Sequence, residues 1–415
     1  MLFIYEVVII FMLYVEYKYY KSYFTPFSIL GCCYMTVPVL ILIVGGNSQL
    51  YPMSEFNLQC TLFFLFLMWI TGSIVRVLAA NRKLFKSKNI IKNIKKIELL
   101  GYIFFLLYIF CIFMFMITVI RVLSVYGYSG AKNHTTGIGA HFGYIALMLT
   151  PYIVYRGVSQ KRKGHYFFVL ILILELILLQ NKLPAIVLLL QSVYSYFMMS
   201  GRVRGKKIIK TGIFSVLAAM LLFVVVYSIK PWFIDKDTSF QAAINYSIER
   251  FFHYFFSGFI SSNEYFMCPS GNTFQNGHRV AYGVFDTLKE LFSENPNYVS
   301  PVIEKWVYIS PISATNVGGM FSELVYQIGF FESAIYVIAV SIMVYFFYHL
   351  TCSNQIFVNT TSYLMTMTTL GFFCNFFSLF STFEKLIYVM IFDLIIWKVK
   401  VKRTVVKMGS SCILD

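Results

Sequence analysis

Charge is scarce in this chain. Only 13% of its 415 residues are Asp, Glu, Lys or Arg, against about a quarter in ordinary soluble domains. Acids are the scarcer sign, 18 against 34 bases, which leaves a formal net charge of +16. The eight cysteines form no C-x-x-C pair of the kind that holds zinc. Cys32, Cys33, Cys60, Cys111 and Cys374 lie in apolar runs, where the thiol behaves as a small hydrophobe. Cys268 stands alone in the one long polar stretch, so no disulfide framework is built there. The terminal Cys412 to Asp415 has the spacing of a prenylation box, but a final Asp fits that box poorly. The period-two alternation of a membrane β-barrel is missing. No internal repeat is visible, so a transporter built of two related halves gains no support.

Apolar residues are abundant. The chain is 59% hydrophobic and 19% aromatic, with a mean hydropathy of +0.72. Apolar runs of the length that crosses a bilayer recur throughout. They cover about 1–15, 28–46, 58–80, 98–120, 136–155, 166–180, 183–200, 211–229, 332–350, 357–380 and 385–399. These predict an all-α polytopic membrane protein of about 11 transmembrane helices. Residues 1–229 form a membrane bundle of about eight helices, 230–315 an external loop, 316–399 the last membrane helices and 400–415 a basic tail. With the N-terminus outside and the C-terminus cytoplasmic, the inside loops hold 23 of the 34 Lys and Arg residues. The net charge therefore follows the positive-inside rule and does not call for a nucleic-acid partner.

The stretch from Lys230 to Gly329 differs from the rest. It carries five of the ten prolines, and eight of the eighteen acids fall between Asp235 and Glu304. His253 and His278 are also here. Asp237 or Thr238 can cap a helix running to about Phe266. At 100° per residue, Tyr246, Arg250, His253, Ser257, Ser261 and Glu264 share one side of that helix, opposite Phe251, Phe252, Phe255, Phe256 and Phe259. Such a stripe is either a solvated face or an active-site wall, with Arg250 for phosphate and His253 or Glu264 as base. A second helix over about 280–294 looks like an ordinary solvated one. Asp235-Lys236-Asp237 has the form of a metal-binding D-x-D, but helix capping explains Asp237 more simply. Trp306 and Tyr308 read as the chain's return to the membrane interface. Within the apolar runs, Glu175 is a costly carboxyl and by default a functional candidate. Lys182 sits in a two-residue turn just before Pro184, and Asp393 reads as structural.

Asn316-Val317-Gly318-Gly319-Met320-Phe321-Ser322-Glu323-Leu324-Val325-Tyr326-Gln327-Ile328-Gly329 resembles a stretch of the Wzy-type polymerases. These bacterial enzymes join O-antigen or capsule repeat units. Asn316, Leu324, Gly329 and the spacing match; Gly319 stands where Thr is usual and Gln327 where Asp is common. The turn Gln180-Asn181-Lys182 falls where the family often has Gly-Ser-Arg. The order of elements is also similar: many helices, one long external loop, then two or three helices, an architecture like that of the GT-C glycosyltransferases. The resemblance covers most of the chain as architecture but only about 20 residues as motif.

The resemblance implies an inner-membrane enzyme acting on undecaprenyl-diphosphate-linked oligosaccharides at the outer face, without metal or cofactor. It also implies a chain-length-regulating co-polymerase as partner. The diphosphate leaving group then needs fixed cations, for which Lys182, Arg250 and Arg279 are the candidates. The attacking hydroxyl needs a base, drawn from His253, Glu264, His278 and Glu323. Asn316 would orient the loop or bind sugar. Two alternatives stand beside the polymerase. An O-antigen ligase usually shows His-Asn where this chain has Thr315-Asn316. A lipid-linked oligosaccharide flippase would place its important charges at Glu175, Arg76 and Asp393.

Overall fold

The computed structural model describes residues 1–80, 94–131, 137–200, 205–229, 232, 239–267, 305–311, 313–354 and 357–410. The second loop helix, the D-x-D, Asp237, Thr238, His278 and Arg279 lie outside the described residues.

Helices dominate the fold. They are α1 (Leu2–Tyr20), α2 (Pro26–Ser48), α3 (Glu55–Ala80), α4 (Ile94–Ala131), α5 (Ile138–Gln160), α6 (Lys163–Leu178), α7 (Lys182–Ser200), α8 (Gly205–Ser228), α9 (Phe240–Ile260) and α10 (Ser262–Tyr265). A hairpin of β1 (Val307–Ser310) and β2 (Ser313–Thr315) follows. The chain then continues with α11 (Met320–Ile328), α12 (Phe330–Asn354), α13 (Val358–Thr369) and α14 (Phe380–Ser410). Among the described residues, seven helical stretches are long and apolar enough to cross a membrane: 26–44, 55–79, 98–128, 138–160, 182–199, 210–228 and 330–353. The chain is an all-α, multi-pass membrane protein. The first, sixth, tenth and eleventh predicted runs are not among those seven. α1 carries Glu6, Glu16 and Lys18, α6 has only 16 residues, and α14 continues into the basic tail.

Local chemistry sets the boundaries. The Thr25 hydroxyl accepts the Ser28 N–H at 3.1 Å, and Pro26 takes the first helical position, where a missing N–H costs nothing. α9 is capped by Ser239, whose Oγ accepts the Ala242 N–H at 3.3 Å, one or two residues after the expected cap at Thr238 or Asp237. α4 runs on to Ala131, into the expected polar loop at 121–135. It kinks at Gly127, whose φ of 63° suits a residue without a side chain. The tenth run, expected to be one span, is broken. α13 ends at Thr369, and two 3-10 turns, Leu370–Phe372 and Phe376–Ser378, precede α14. Thr368 and Thr369 donate to the carbonyls of Leu364 and Met365 at 2.8 and 2.7 Å. That back-bonding weakens and bends a helix end.

The chain forms two compact units. The first comprises Met1–Arg82, Glu249–His349 and Leu364–Glu384; the second comprises Lys83–Ile248, Leu350–Tyr363 and Lys385–Asp415. In the first unit, Phe64 stacks with Phe321 and Phe330 at ring separations of 5.3 and 5.5 Å, and Tyr34 stacks on Phe321 at 5.3 Å. Tyr345 reaches α3 through the space left by Gly72, where a Cβ would come within 2.3 Å of its ring. Its hydroxyl donates to Glu16 Oε1 at 2.9 Å.

In the second unit, Asp393 accepts from Asn359 Nδ2 at 3.1 Å and from both the N–H and the hydroxyl of Thr360 at 2.8 Å. It thereby caps the N-terminus of α13. Ser195 on α7 donates to Asn359 Oδ1 at 2.6 Å and extends the network.

Candidate functional site

The Asn316–Gly329 stretch, the C-terminal half of α9 and the break between α13 and α14 meet in the first unit, around Glu323. Gly319 begins α11, and Glu323 lies in the first turn. From there its carboxylate reaches back past the helix start, and Oε1 accepts the Gly318 N–H at 2.9 Å. Oε2 accepts the Asn375 N–H at 2.8 Å, with the Cys374 thiol 3.5 Å away. One side chain thus ties the loop before α11 to the break after α13. A helix N-terminus favours an anion at this position.

Burial works the other way. Glu323 is 6% exposed, and burial raises its carboxyl from the ordinary 4.5 to about 7, while the Asn375 and Gly318 N–H groups limit the rise. The result is a buried carboxyl that exchanges its proton near neutrality. Each oxygen keeps a lone pair beyond its backbone bond, so the carboxylate can accept one more donor. Beside it, the Asn375 side-chain amide is buried, and among the described residues neither its oxygen nor its nitrogen has a hydrogen-bond partner. The Tyr336 hydroxyl lies close to that amide without reaching a normal bond.

α9 is stitched to this loop. The Gly319 N–H donates to Gly258 O at 2.7 Å, Ser261 Oγ donates to Val317 O at 2.6 Å, and the Ser262 and Ser322 hydroxyls pair at 2.7 Å. Gly258 makes the approach possible: a Cβ there would sit 2.5 Å from Phe373 O and 2.8 Å from Phe372 O. The polar stripe of α9 is therefore not a solvated face along its middle. His253, Ser257 and Ser261 are all buried. His253 lies five residues before Gly258, about 7.5 Å along the helix axis. Burial, more than the neighbouring Arg250, holds its imidazole below its usual value and so favours the neutral form, an effect Glu249 partly offsets. Arg250, one turn earlier, is half-buried.

Glu264 points elsewhere. Its carboxylate is half-exposed and pairs with Lys305 Nζ at 2.7 Å. Asn316 lies half-buried in the bend between β2 and α11. The structure thus brings Glu323 together with the loop that carries Asn316 and with the stripe that carries His253, and it gives Glu264 a surface ion pair.

The other predicted groups lie in different surroundings. Lys182 belongs to the second unit, where its Nζ stands 3.1 Å from the centre of the Tyr227 ring and 5.1 Å from that of Phe223. Beside it, Gln180 Nε2 donates to Tyr128 O at 2.6 Å and holds the turn. Glu175, also in the second unit, is buried, and among the described residues neither of its carboxyl oxygens has a hydrogen-bond partner. Arg76, in the first unit, donates to Tyr19 O at 2.7 Å and stacks over the Tyr19 and Tyr20 rings.

Sequence reasoning missed Asn375, Gly318 and the serine pair Ser262 and Ser322. It also missed Asn57, whose amide donates to Phe259 O and to Asn263 Oδ1 and ties the start of α3 to the end of α9. The available signal was Gly371 and Asn375 interrupting an apolar run. Among the described residues, no group of three or more His, Cys, Asp and Glu side chains is placed to hold a metal ion. No protein-family model, no curated protein and no solved structure matches the chain.

Proposed function

We propose that this chain polymerises undecaprenyl-diphosphate-linked oligosaccharide repeat units at the outer face of a bacterial plasma membrane. The product is O-antigen or capsular polysaccharide. In this scheme the chain crosses the membrane about 11 times, with the N-terminus outside and the C-terminus in the cytoplasm, and α9 to α11 face the exterior. A separate co-polymerase sets product length.

One observation carries the proposal. The residues that resemble the polymerase motif converge on a buried carboxyl that exchanges its proton near neutrality, next to a side-chain amide without a hydrogen-bond partner among the described residues. Glu323 accepts the proton of the attacking sugar hydroxyl as that hydroxyl bonds to the anomeric carbon of the donor chain. The bond to the lipid diphosphate breaks, and the lipid diphosphate leaves. The Asn375 amide orients a hydroxyl of the acceptor. Arg250 neutralises the diphosphate, and the neutral His253 imidazole supplies a hydrogen bond in the same wall.

Deleting the gene and running the surface glycan on a gel tests this. A ladder that collapses to one repeat unit supports a polymerase, because units are still made, flipped and attached. Loss of every repeat unit from the surface contradicts it.

A second scheme draws on a different observation. Glu175 is a buried carboxyl without a hydrogen-bond partner among the described residues, and such groups mark ion or proton paths in membrane proteins. It favours a lipid-linked oligosaccharide flippase. In a flippase, Glu175→Gln would stop export of the repeat unit; in a polymerase, it would leave the glycan ladder in place.

A further inference from the structure

Bases crowd one short stretch of the second unit. Arg156, Lys161, Arg162, Lys163 and His165 fall within ten residues, and no acid occurs from 157 to 174 or from 81 to 97. The stretch joins α5 to α6 by a tight turn. Lys161 takes the left-handed conformation with φ 53°, and the N–H groups of Lys161 and Arg162 both close on Gly157 O, the second at 3.1 Å. The turn sets Arg162 and His165 beside the segment of α4 that carries Tyr102 and Phe105.

Two guanidinium groups stand at one ring. Arg162 is exposed, and its Nη2 donates to the Tyr102 hydroxyl at 2.8 Å. Its Cζ is 5.0 Å from the centre of the Tyr102 ring, and that of Arg156 is 5.4 Å from the same point. Arg156 is only 5% exposed and lies against α4 at Gly101, where a Cβ would overlap its Nη1. Its Nη2 donates to Gln160 Oε1 at 3.3 Å, but Nη1 is buried and has no hydrogen-bond partner among the described residues. His165 is 4% exposed and stacks on Phe105 at a ring separation of 4.3 Å. Its Nε2 also lacks a partner among the described residues. Both arginines act on that imidazole: after burial, their charges hold it below its usual value.

A guanidinium keeps its proton at any ordinary pH, so Arg156 cannot relieve its burial by becoming neutral. A buried charge without a counter-charge is costly. Among the described residues neither arginine forms an ion pair. Glu98 is exposed, and Asp393 is taken up by Asn359 and Thr360. We propose that Arg156 and Arg162 bind the phosphate group of an anion, with His165 as a further hydrogen-bonding group. The flat fork of a guanidinium matches phosphate oxygens. In the proposed orientation this end of the helices faces the cytoplasm, where basic pockets between helices take lipid phosphates. Free phosphate offers the same chemistry, and the experiment separates the two sources. Nothing in the site depends on the polymerase scheme.

The test uses the full chain purified in a maltoside detergent, which carries no phosphate. Phosphatidylglycerol and inorganic phosphate are titrated in separate calorimetry experiments, and diacylglycerol serves as the lipid without a phosphate. Wild-type protein should bind a phosphate probe and ignore diacylglycerol. Arg162→Gln should weaken that binding roughly tenfold, and R156Q/R162Q should weaken it further. Phosphatidylglycerol binding that inorganic phosphate fails to displace identifies a lipid headgroup as the ligand; equal binding of inorganic phosphate identifies the free anion. If neither probe binds, or if both variants bind as wild type does, the proposal is overturned. Arg162 is exposed, so Arg162→Gln alone carries the test even if the double variant does not fold.

A second readout is local. With isotope-labelled histidine, the His165 imidazole signal is assigned by its loss in His165→Gln. It should move when the phosphate probe binds. Binding that leaves this signal in place lies elsewhere on the chain and overturns the proposal.

Discussion

Replacing Glu323 with Gln separates its proton chemistry from its structural tie. The wild-type carboxyl titrates at about 7 in the folded protein and at an ordinary 4.5 when unfolded. Burial penalises the charged form, so the folded state binds the extra proton between those values. The resulting stability is fully present below pH 4.5 and is lost as pH rises through 7. The difference corresponds to about 3 kcal/mol. Glutamine has no proton to exchange, so this dependence disappears. The variant carries a different cost, however. Its amide NH2 must face either the Gly318 or the Asn375 N–H, and a buried N–H left without an acceptor costs about 1–3 kcal/mol.

Thermal unfolding in nanodiscs from pH 4.5 to 7.5 is the assay. The wild type should lose stability across the range, while the variant starts lower and stays nearly flat. Turnover should fall about a hundredfold or more in the variant, the usual loss when a general base is removed. Wild-type kcat/KM should rise with pH up to about 7. A variant with full turnover would refute the assignment and leave Glu323 as a tie between two loops.

Three other outcomes follow from the same geometry. Gly258→Ala forces a methyl group against the Phe372 and Phe373 carbonyls, and the protein should lose about 1–3 kcal/mol of stability in a thermal shift assay. Asp393→Ala removes the acceptor for three donors at the start of α13, and an unfolding temperature well below wild type is expected. Lys182→Gln loses the cation–π contact with Tyr227, worth about 0.5–2 kcal/mol. Its ladder should remain if Arg250 carries the diphosphate, and Arg250→Ala should abolish it.

Much of the architecture was readable because hydropathy reports span-length apolar runs directly. Seven of the predicted runs recur as long apolar helices. The Asn316–Gly329 stretch also pointed to Glu323. Three features escaped for physical reasons. The break at 370–378 stayed hidden because its residues are more apolar than the helix before it, and back-bonding threonines leave hydropathy unchanged. The end of α4 looks like a loop in the sequence because Arg121 and Ser124 are polar, although a polar residue on the exposed side of a helix does not end it. Periodicity showed that α9 has a polar stripe, but not whether water or protein covers it. The backbone carbonyls of Val317 and Phe373 that face α9 belong to segments distant in sequence.

Reconstituted polymerisation is the most direct test of the central claim. Purified protein in nanodiscs receives undecaprenyl-diphosphate-linked repeat units from its host, and the products are separated on a gel. Wild-type protein alone should convert single units into a ladder and release undecaprenyl diphosphate, and Glu323→Gln protein should leave single units. If wild-type protein leaves the units unjoined but moves them between the bilayer leaflets, or if the Glu323→Gln variant makes the same ladder as wild type, the account is contradicted.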